Sequence, residues 1–358
     1  MNAGQVKQIA KEWVGSNREG WTGLRAAHLV GSIAGAPDDV PYPPYKDVDL
    51  HLIFDEGSPQ LVPTGPFAHL IETEYKSVLL EAGLKSVQEY GSTEAVLSNP
   101  EIAHHLLTDC ILYDPDRLLR ALSETVRLEY PRRKWVLARC AYEKMGLEQV
   151  FGYLLGMARA TFGATREMQI VGYGITFACS HLCVATLQAP TTGSRASRRL
   201  SNILDQHGHS DLYDEFLDVM GVRAISKERA EELLEEGAEA FDIAVQVKRT
   251  PHPFGHKIHK HLRPYFVGSC RSLMDEGYHR EATLWLTPFY LASTDIIKTD
   301  GTPDQATQLA QRLDQFLIGL GIGSPEEIAA KVERAKMVYS RIGTVADEIV
   351  TTNPNIID

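Results

Sequence analysis

The sequence predicts an α+β unit, a short mixed sheet flanked by helices, followed by a larger all-α domain. Three observations carry that expectation. Up to about residue 120, short apolar runs alternate with helix-period stretches and with breaks rich in Pro and Gly. From Leu118 onward the apolar stretches are long and amphipathic. A length of 358 residues exceeds one typical domain and suits two cores. The expected division is 1–120 for the first unit, 121–350 for the helical domain, and a frayed tail at 351–358, "TTNPNIID".

In chain order, Gln5 to Val14 reads as a helix, "GSNREG" as a turn and Arg25 to Val30 as a strand that stops at Gly31-Ser32. A loop containing "PDDVPYPP" leads to a second strand, Asp47 to Phe54. Its period of two puts Asp47, Asp49 and His51 on one face and Val48, Leu50 and Leu52 on the other. After the break "DEGSPQLVPTGP", residues 55–66, the positions of Leu70, Ile71, Tyr75, Leu79 and Leu80 predict a helix over His69 to Ala82. Leu84 to Tyr90 and His105 to Leu112 are strand candidates.

The helical part begins with Val126 to Gly146, Leu147 to Thr161 and Met168 to Leu187, and further amphipathic stretches follow to Ile342. Ser226, Thr302-Pro303-Asp304 and Ser324-Pro325-Glu326 read as helix starts, and Gly146, Gly208, Gly277 and Gly321 as helix ends.

Composition narrows the function. No apolar run approaches the roughly 20 residues of a membrane span, and the N-terminal segment lacks the apolar core of a secretory signal, so a cytoplasmic protein is expected. A formal net charge of -11 argues against nucleic acid as a partner. Cys110, Cys140, Cys179, Cys183 and Cys270 form no C-x-x-C pair and suit reduced, buried thiols.

The chemistry concentrates in "VGS…DVDLHLIF". Unpaired charge in an apolar strand is costly unless a cation compensates it, and a divalent metal is the natural partner of Asp47 and Asp49. Mg²⁺ is a hard ion that binds through one or two carboxylates plus substrate phosphates. Gly31 allows close approach of backbone to phosphate, and Ser32 offers a hydroxyl donor.

Val30-Gly31-Ser32 followed by Asp47-Val48-Asp49-Leu50 resembles the polymerase-beta-like nucleotidyltransferases, including the aminoglycoside and lincosamide enzymes that carry a helical C-terminal domain. The resemblance covers roughly the first 120 residues, with a spacer longer than usual at 33–46. It implies Mg²⁺-dependent transfer of a nucleoside monophosphate, AMP from ATP, to a hydroxyl of a small molecule such as an antibiotic, with release of pyrophosphate. It further implies a third carboxylate on a neighbouring strand, as base or ligand of a second metal. Asp109, in "LLTDCILYDP", is the choice; Glu94 and Glu101 are rivals, and Asp114 suits a turn. Nucleotidylation of a protein, or non-catalytic nucleotide sensing on the same fold, are the alternatives.

Other clusters carry weaker signals. His252, His256, His259 and His261 lie within ten residues, yet Pro, Gly, Lys257 and Lys260 favour a solvated basic loop over a zinc site. His279, Arg280 and Glu281 read as a charge cluster at a helix start, and Glu143 and Glu148 carry no motif that assigns them a role.

Overall fold

The structure, a computed structural model, describes residues 1–62, 69–158, 164–190 and 193–358, with side chains at all of these except 153–158 and 164–173. Two expected segments end outside them, the break at 63–66 and the helix at 159–161. The chain forms two compact units: Met1–Tyr142 with Cys183–Thr191 and Ile349–Asp358, and Glu143–Leu182 with Thr192–Glu348.

Helix α1 (Ala3–Asn17) opens the first unit. Asn2 caps it, accepting from Gln5 N at 2.9 Å, while the Gln5 side chain accepts from Asn2 N at 2.9 Å. Val6, Ala10, Trp13 and Val14, at helical spacing, form its buried stripe. The rest of the unit runs β1 (Leu24–Leu29), α2 (Gly31–Ala34), β2 (Val48–Phe54), β3 (Leu70–Tyr75), β4 (Val78–Ser86), α3 (Thr93–Ser98), α4 (Pro100–His105), β5 (Ile111–Tyr113) and α5 (Leu118–Glu129). The strands form one five-stranded sheet in the order β3-β4-β2-β1-β5, with β2 and β4 parallel and the other neighbours antiparallel.

Each face of the sheet has its own core. Val48, Leu50, Leu52 and Phe54 of β2 and Val78, Leu80, Ala82 and Leu84 of β4 pack with the α1 stripe. Ile53 and Ala26 on the other face pack with Val96, Leu97, Ile102 and Ala103 of α3 and α4 and with Leu119, Leu122 and Val126 of α5. The strict alternation of β2 therefore sends Asp49 and His51 toward the face that α3 to α5 cover.

Helices make up the second unit: α6 (Arg133–Ala158) from Glu143 on, α7 (Ala164–Ala185) up to Leu182, α8 (Ala196–Gln206), α9 (Ser210–Met220), α10 (Lys227–Val247), α11 (Ser269–Asp275), α12 (His279–Asp300), α13 (Pro303–Gly319), and α14 (Pro325–Thr352) up to Glu348. The expected caps are present, since Ser226, Thr302 and Ser324 accept from the backbone N–H groups of Arg229, Gln305 and Glu327. Gly208, Gly277 and Gly321 follow helix ends at positive φ, where a Cβ is disfavoured.

Four expectations are corrected. His69 to Ala82 is no helix but the β3–β4 hairpin, turned by Lys76 and Ser77 at φ +50 and +60. A two-residue hairpin turn needs that left-handed pair, and Lys-Ser lacks the Asn-Gly signature that announces one. His105 to Leu112 is not one strand: His105 ends α4, and β5 begins only at Ile111. Gly146 ends no helix, because α6 runs through it; a Cβ there would fall 2.4 Å from Phe177 Cε1, so the glycine makes room for that ring. The tail does not fray within the first unit. Arg133 N donates to Ile357 O at 2.7 Å, the Arg133 guanidinium pairs with Asp358 at 2.6 Å, and Ile356 is buried.

Candidate functional site

Gly31, Ser32, Asp47 and Asp49 meet at one end of the sheet. β1 and β2 are antiparallel neighbours with Leu29 opposite Leu50, and Val30 N donates to Asp49 O at 2.9 Å. The residue after Val30 is therefore forced against the Asp49 side chain. Gly31 takes φ +63, and a Cβ on it would lie 2.2 Å from Asp49 Oδ2. Any other residue would occupy the carboxylate's position, which explains in one contact why the strand ends on glycine.

Asp47 sits immediately before β2, half-buried like Asp49. The Tyr42 hydroxyl donates to Asp47 O at 2.5 Å, and Ser32 hydrogen-bonds to the same hydroxyl. Burial, and then the charges of Asp47 and Asp49, push the Tyr42 phenol well above its usual range, against the opposing Ser32 hydrogen bond. One hydroxyl thus feels both acids, and Tyr42 ties the Pro-rich loop to the site.

The carboxylates that the sequence offered for a third position lie on the surface. Asp109 is exposed in the bend that precedes β5, and Glu94 is exposed in the first turn of α3. Glu81 instead stands directly beside Asp49 in the parallel β2–β4 register, one strand away at about 5 Å. It lies on the same face as Asp49, because its neighbours Leu80 and Ala82 point into the α1 core. Glu72 of β3 pairs with Glu81 in turn, so three carboxyl-bearing positions line up across three strands. The alternation in "VLLEAGLKS" is the signal that could have found Glu81, had the segment been read as a strand.

Behind the acids runs a buried polar chain. His28 Nδ1 faces Leu29 O at 3.1 Å, so that nitrogen carries the proton and Nε2 accepts from the Tyr90 hydroxyl at 2.8 Å. Tyr90 oxygen then accepts from His51 Nδ1 at 2.8 Å. His51 Nε2 faces the half-exposed Glu101 carboxylate at 3.4 Å, where the chain reaches the surface. Gly83 stands opposite His51 in the ladder. Desolvation would raise Glu101, yet the hydrogen bond and charge of His51 bring it down to about 2. Glu101 is therefore engaged with His51, and Glu81 is the carboxyl group whose strand position adjoins Asp49. Burial, with His51 and His105 nearby, lowers His28 well below the ordinary imidazole range.

His105 reaches the bend from α4, its Nε2 accepting Gly31 N–H at 2.9 Å. The Gly31 amide therefore points inward, and the contribution left to Gly31 is its missing side chain. Tyr42 and His105 carry no signal in the sequence that marks them as neighbours of the acids.

Asp47 and Asp49 fit Mg²⁺: they are hard oxygen donors, and the Asp49 carboxylate rests in the space that the missing Gly31 side chain leaves. Among the described residues no three His, Cys, Asp or Glu side chains converge on a metal-sized position, so protein ligands alone would not complete a cage. An ion that keeps waters and shares phosphate oxygens needs no such cage. Elsewhere, Glu143 is buried and accepts from the Ser180 hydroxyl at 2.5 Å, and Glu281 accepts from Tyr213 at 2.6 Å.

No protein-family model matches the chain, and no curated protein matches it.

Proposed function

We propose that the first unit is a Mg²⁺-dependent nucleotidyltransferase that passes a nucleoside monophosphate, AMP from ATP, to a hydroxyl of a small molecule and releases pyrophosphate. The observation that carries this reading is the left-handed Gly31 lying under the Asp49 carboxylate, two residues from Asp47 along the chain. Such a bend seats hard acidic oxygens close against the main chain at the end of the sheet, the donors that Mg²⁺ shares with substrate phosphates.

In this reading Asp47 and Asp49 hold the ion, which neutralises charge on the phosphates when bound. The missing side chain of Gly31 gives the Asp49 carboxylate its place, and Ser32, whose hydroxyl proton goes to the Tyr42 oxygen, holds that phenol on the main chain at Asp47. Glu81 takes the role that the sequence gave to Asp109, receiving the acceptor's proton or completing the acidic site. Tyr42 also fixes the main chain at Asp47, so that this carboxylate is positioned before substrate arrives.

Incubation with α-labelled ATP, Mg²⁺ and a panel of hydroxyl-bearing metabolites and antibiotics tests the reading. Label transferred to a small molecule and lost in Asp47→Ala supports it. Label on a protein partner redirects it to protein nucleotidylation, and nucleotide binding without turnover to a sensor. Absence of both binding and transfer overturns it.

A further inference from the structure

We propose that His105 is a positioning residue of this site, a neutral imidazole strut that fixes the Gly31 bend from beneath, in an inference that rests on the nucleotide reading above. Four contacts support it. His105 Nε2 accepts the Gly31 N–H at 2.9 Å, and the ring is buried at 4% exposure. The main chain of His105 is clamped as well, its carbonyl accepting from the Thr108 hydroxyl at 2.8 Å and the Cys110 thiol at 3.2 Å. Cys110 O in turn accepts from Leu29 N at 2.8 Å, two residues before Gly31. One short segment therefore grips the chain on the N-terminal side of the bend through Cys110, and at the bend itself through His105.

The direction of the bond matters. An amide can only donate, so Nε2 has to be the unprotonated nitrogen and the ring has to stay neutral. Burial ensures this, lowering His105 to about 4, with the nearby Glu101 opposing that shift and His104 and His51 adding to it. The strut also sets where the Asp49 carboxylate rests. Gly31 packs so closely on Asp49 that any tilt of its peptide would move the surface against which Oδ2 lies. Had His105 served only to satisfy a buried amide, its removal would lower stability and leave nucleotide affinity per folded molecule unchanged.

Two variants separate these cases. His105→Phe keeps a ring and removes the acceptor; His105→Gln places an amide oxygen near the former Nε2. Deuterium exchange of the wild-type protein, read on the Gly31 amide, is expected to show protection that His105→Phe loses and His105→Gln keeps. Calorimetry with Mg-ATP is expected to give unchanged stoichiometry, affinity weakened about tenfold in His105→Phe, and affinity within about threefold of wild type in His105→Gln. An unprotected Gly31 amide in the wild-type protein overturns the inference even if neither variant folds. So does wild-type affinity in His105→Phe. If the wild-type protein itself binds no Mg-ATP while its Gly31 amide is protected, the nucleotide reading has failed rather than the strut.

Discussion

Replacing Gly31 by alanine isolates the contact on which the site is built. The new methyl meets two costs. Holding an L-residue in the left-handed region costs about 1–2 kcal/mol. The methyl would also lie 2.2 Å from Asp49 Oδ2, and relief to an ordinary contact of 3.4 Å requires the oxygen to move by about 1.2 Å. That oxygen is the far end of a short, rotatable side chain, so most of the clash relaxes by turning Asp49, and the total stability loss is expected at about 1–3 kcal/mol. Function cannot relax in the same way, because metal–ligand distances tolerate only about 0.2 Å and a 1 Å misplacement costs about a hundredfold. The variant should therefore melt within several degrees of wild type by circular dichroism and lose about two orders of magnitude in Mg²⁺-dependent turnover. Adding Asp49→Ala to Gly31→Ala removes the clash and leaves the backbone strain. The double variant should accordingly be more stable than the sum of the two single changes implies. A Gly31→Ala protein with wild-type turnover would refute the reasoning.

Three further outcomes follow. Glu81→Gln should abolish transfer with little change in melting, whereas Asp109→Asn should retain it; steady-state kinetics of the pair decides which carboxylate belongs to the site. His104 and His105 are lowered to about 4, chiefly by burial, with Arg139 also acting on His104, and burial lowers His28 well below the ordinary imidazole range. The unfolded chain therefore takes up protons first, so their stabilisation is complete above about pH 6.5 and declines toward pH 4, by up to about 1.4 kcal/mol per pH unit for each ring. Urea unfolding across that range should show the decline, and His104→Asn should make it shallower. Arg139 is fully buried, with its guanidinium 3.9 Å over the Tyr130 ring and its N–H groups on Leu97 O and Tyr130 O, at the C-terminal ends of α3 and α5. Arg139→Ala should cost about 3 kcal/mol or more in urea unfolding, since it strands two buried carbonyls and empties the volume of a large side chain.

What the sequence made legible is what local physics controls. The strand through Asp49, the caps at Ser226 and Thr302, and the left-handed glycines at 208, 277 and 321 depend on neighbours within a few residues, and each is present. The β3–β4 hairpin failed because Leu70, Ile71, Tyr75, Leu79 and Leu80 fall at helical spacing, with the pairs Leu70-Ile71 and Leu79-Leu80 masking the strand alternation, while the Lys76-Ser77 turn conceals itself behind ordinary residues. That single misreading hid Glu81, whose place beside Asp49 exists only once β4 pairs in parallel with β2. Asp109 looked embedded because its flanks are apolar, yet Leu106 and Cys110 point inward while the acid between them faces solvent. His105 and Tyr42 approach from 74 and 11 residues away from Gly31, beyond the reach of any pattern along the chain.

The most direct measurement is the heat of ATP binding to the wild-type protein and to Asp49→Asn, each with Mg²⁺ and with chelator. The account predicts one nucleotide bound per chain in Mg²⁺ alone, and no measurable uptake once the Asp49 charge is gone. Equal binding with and without the metal, or in both proteins, would contradict it.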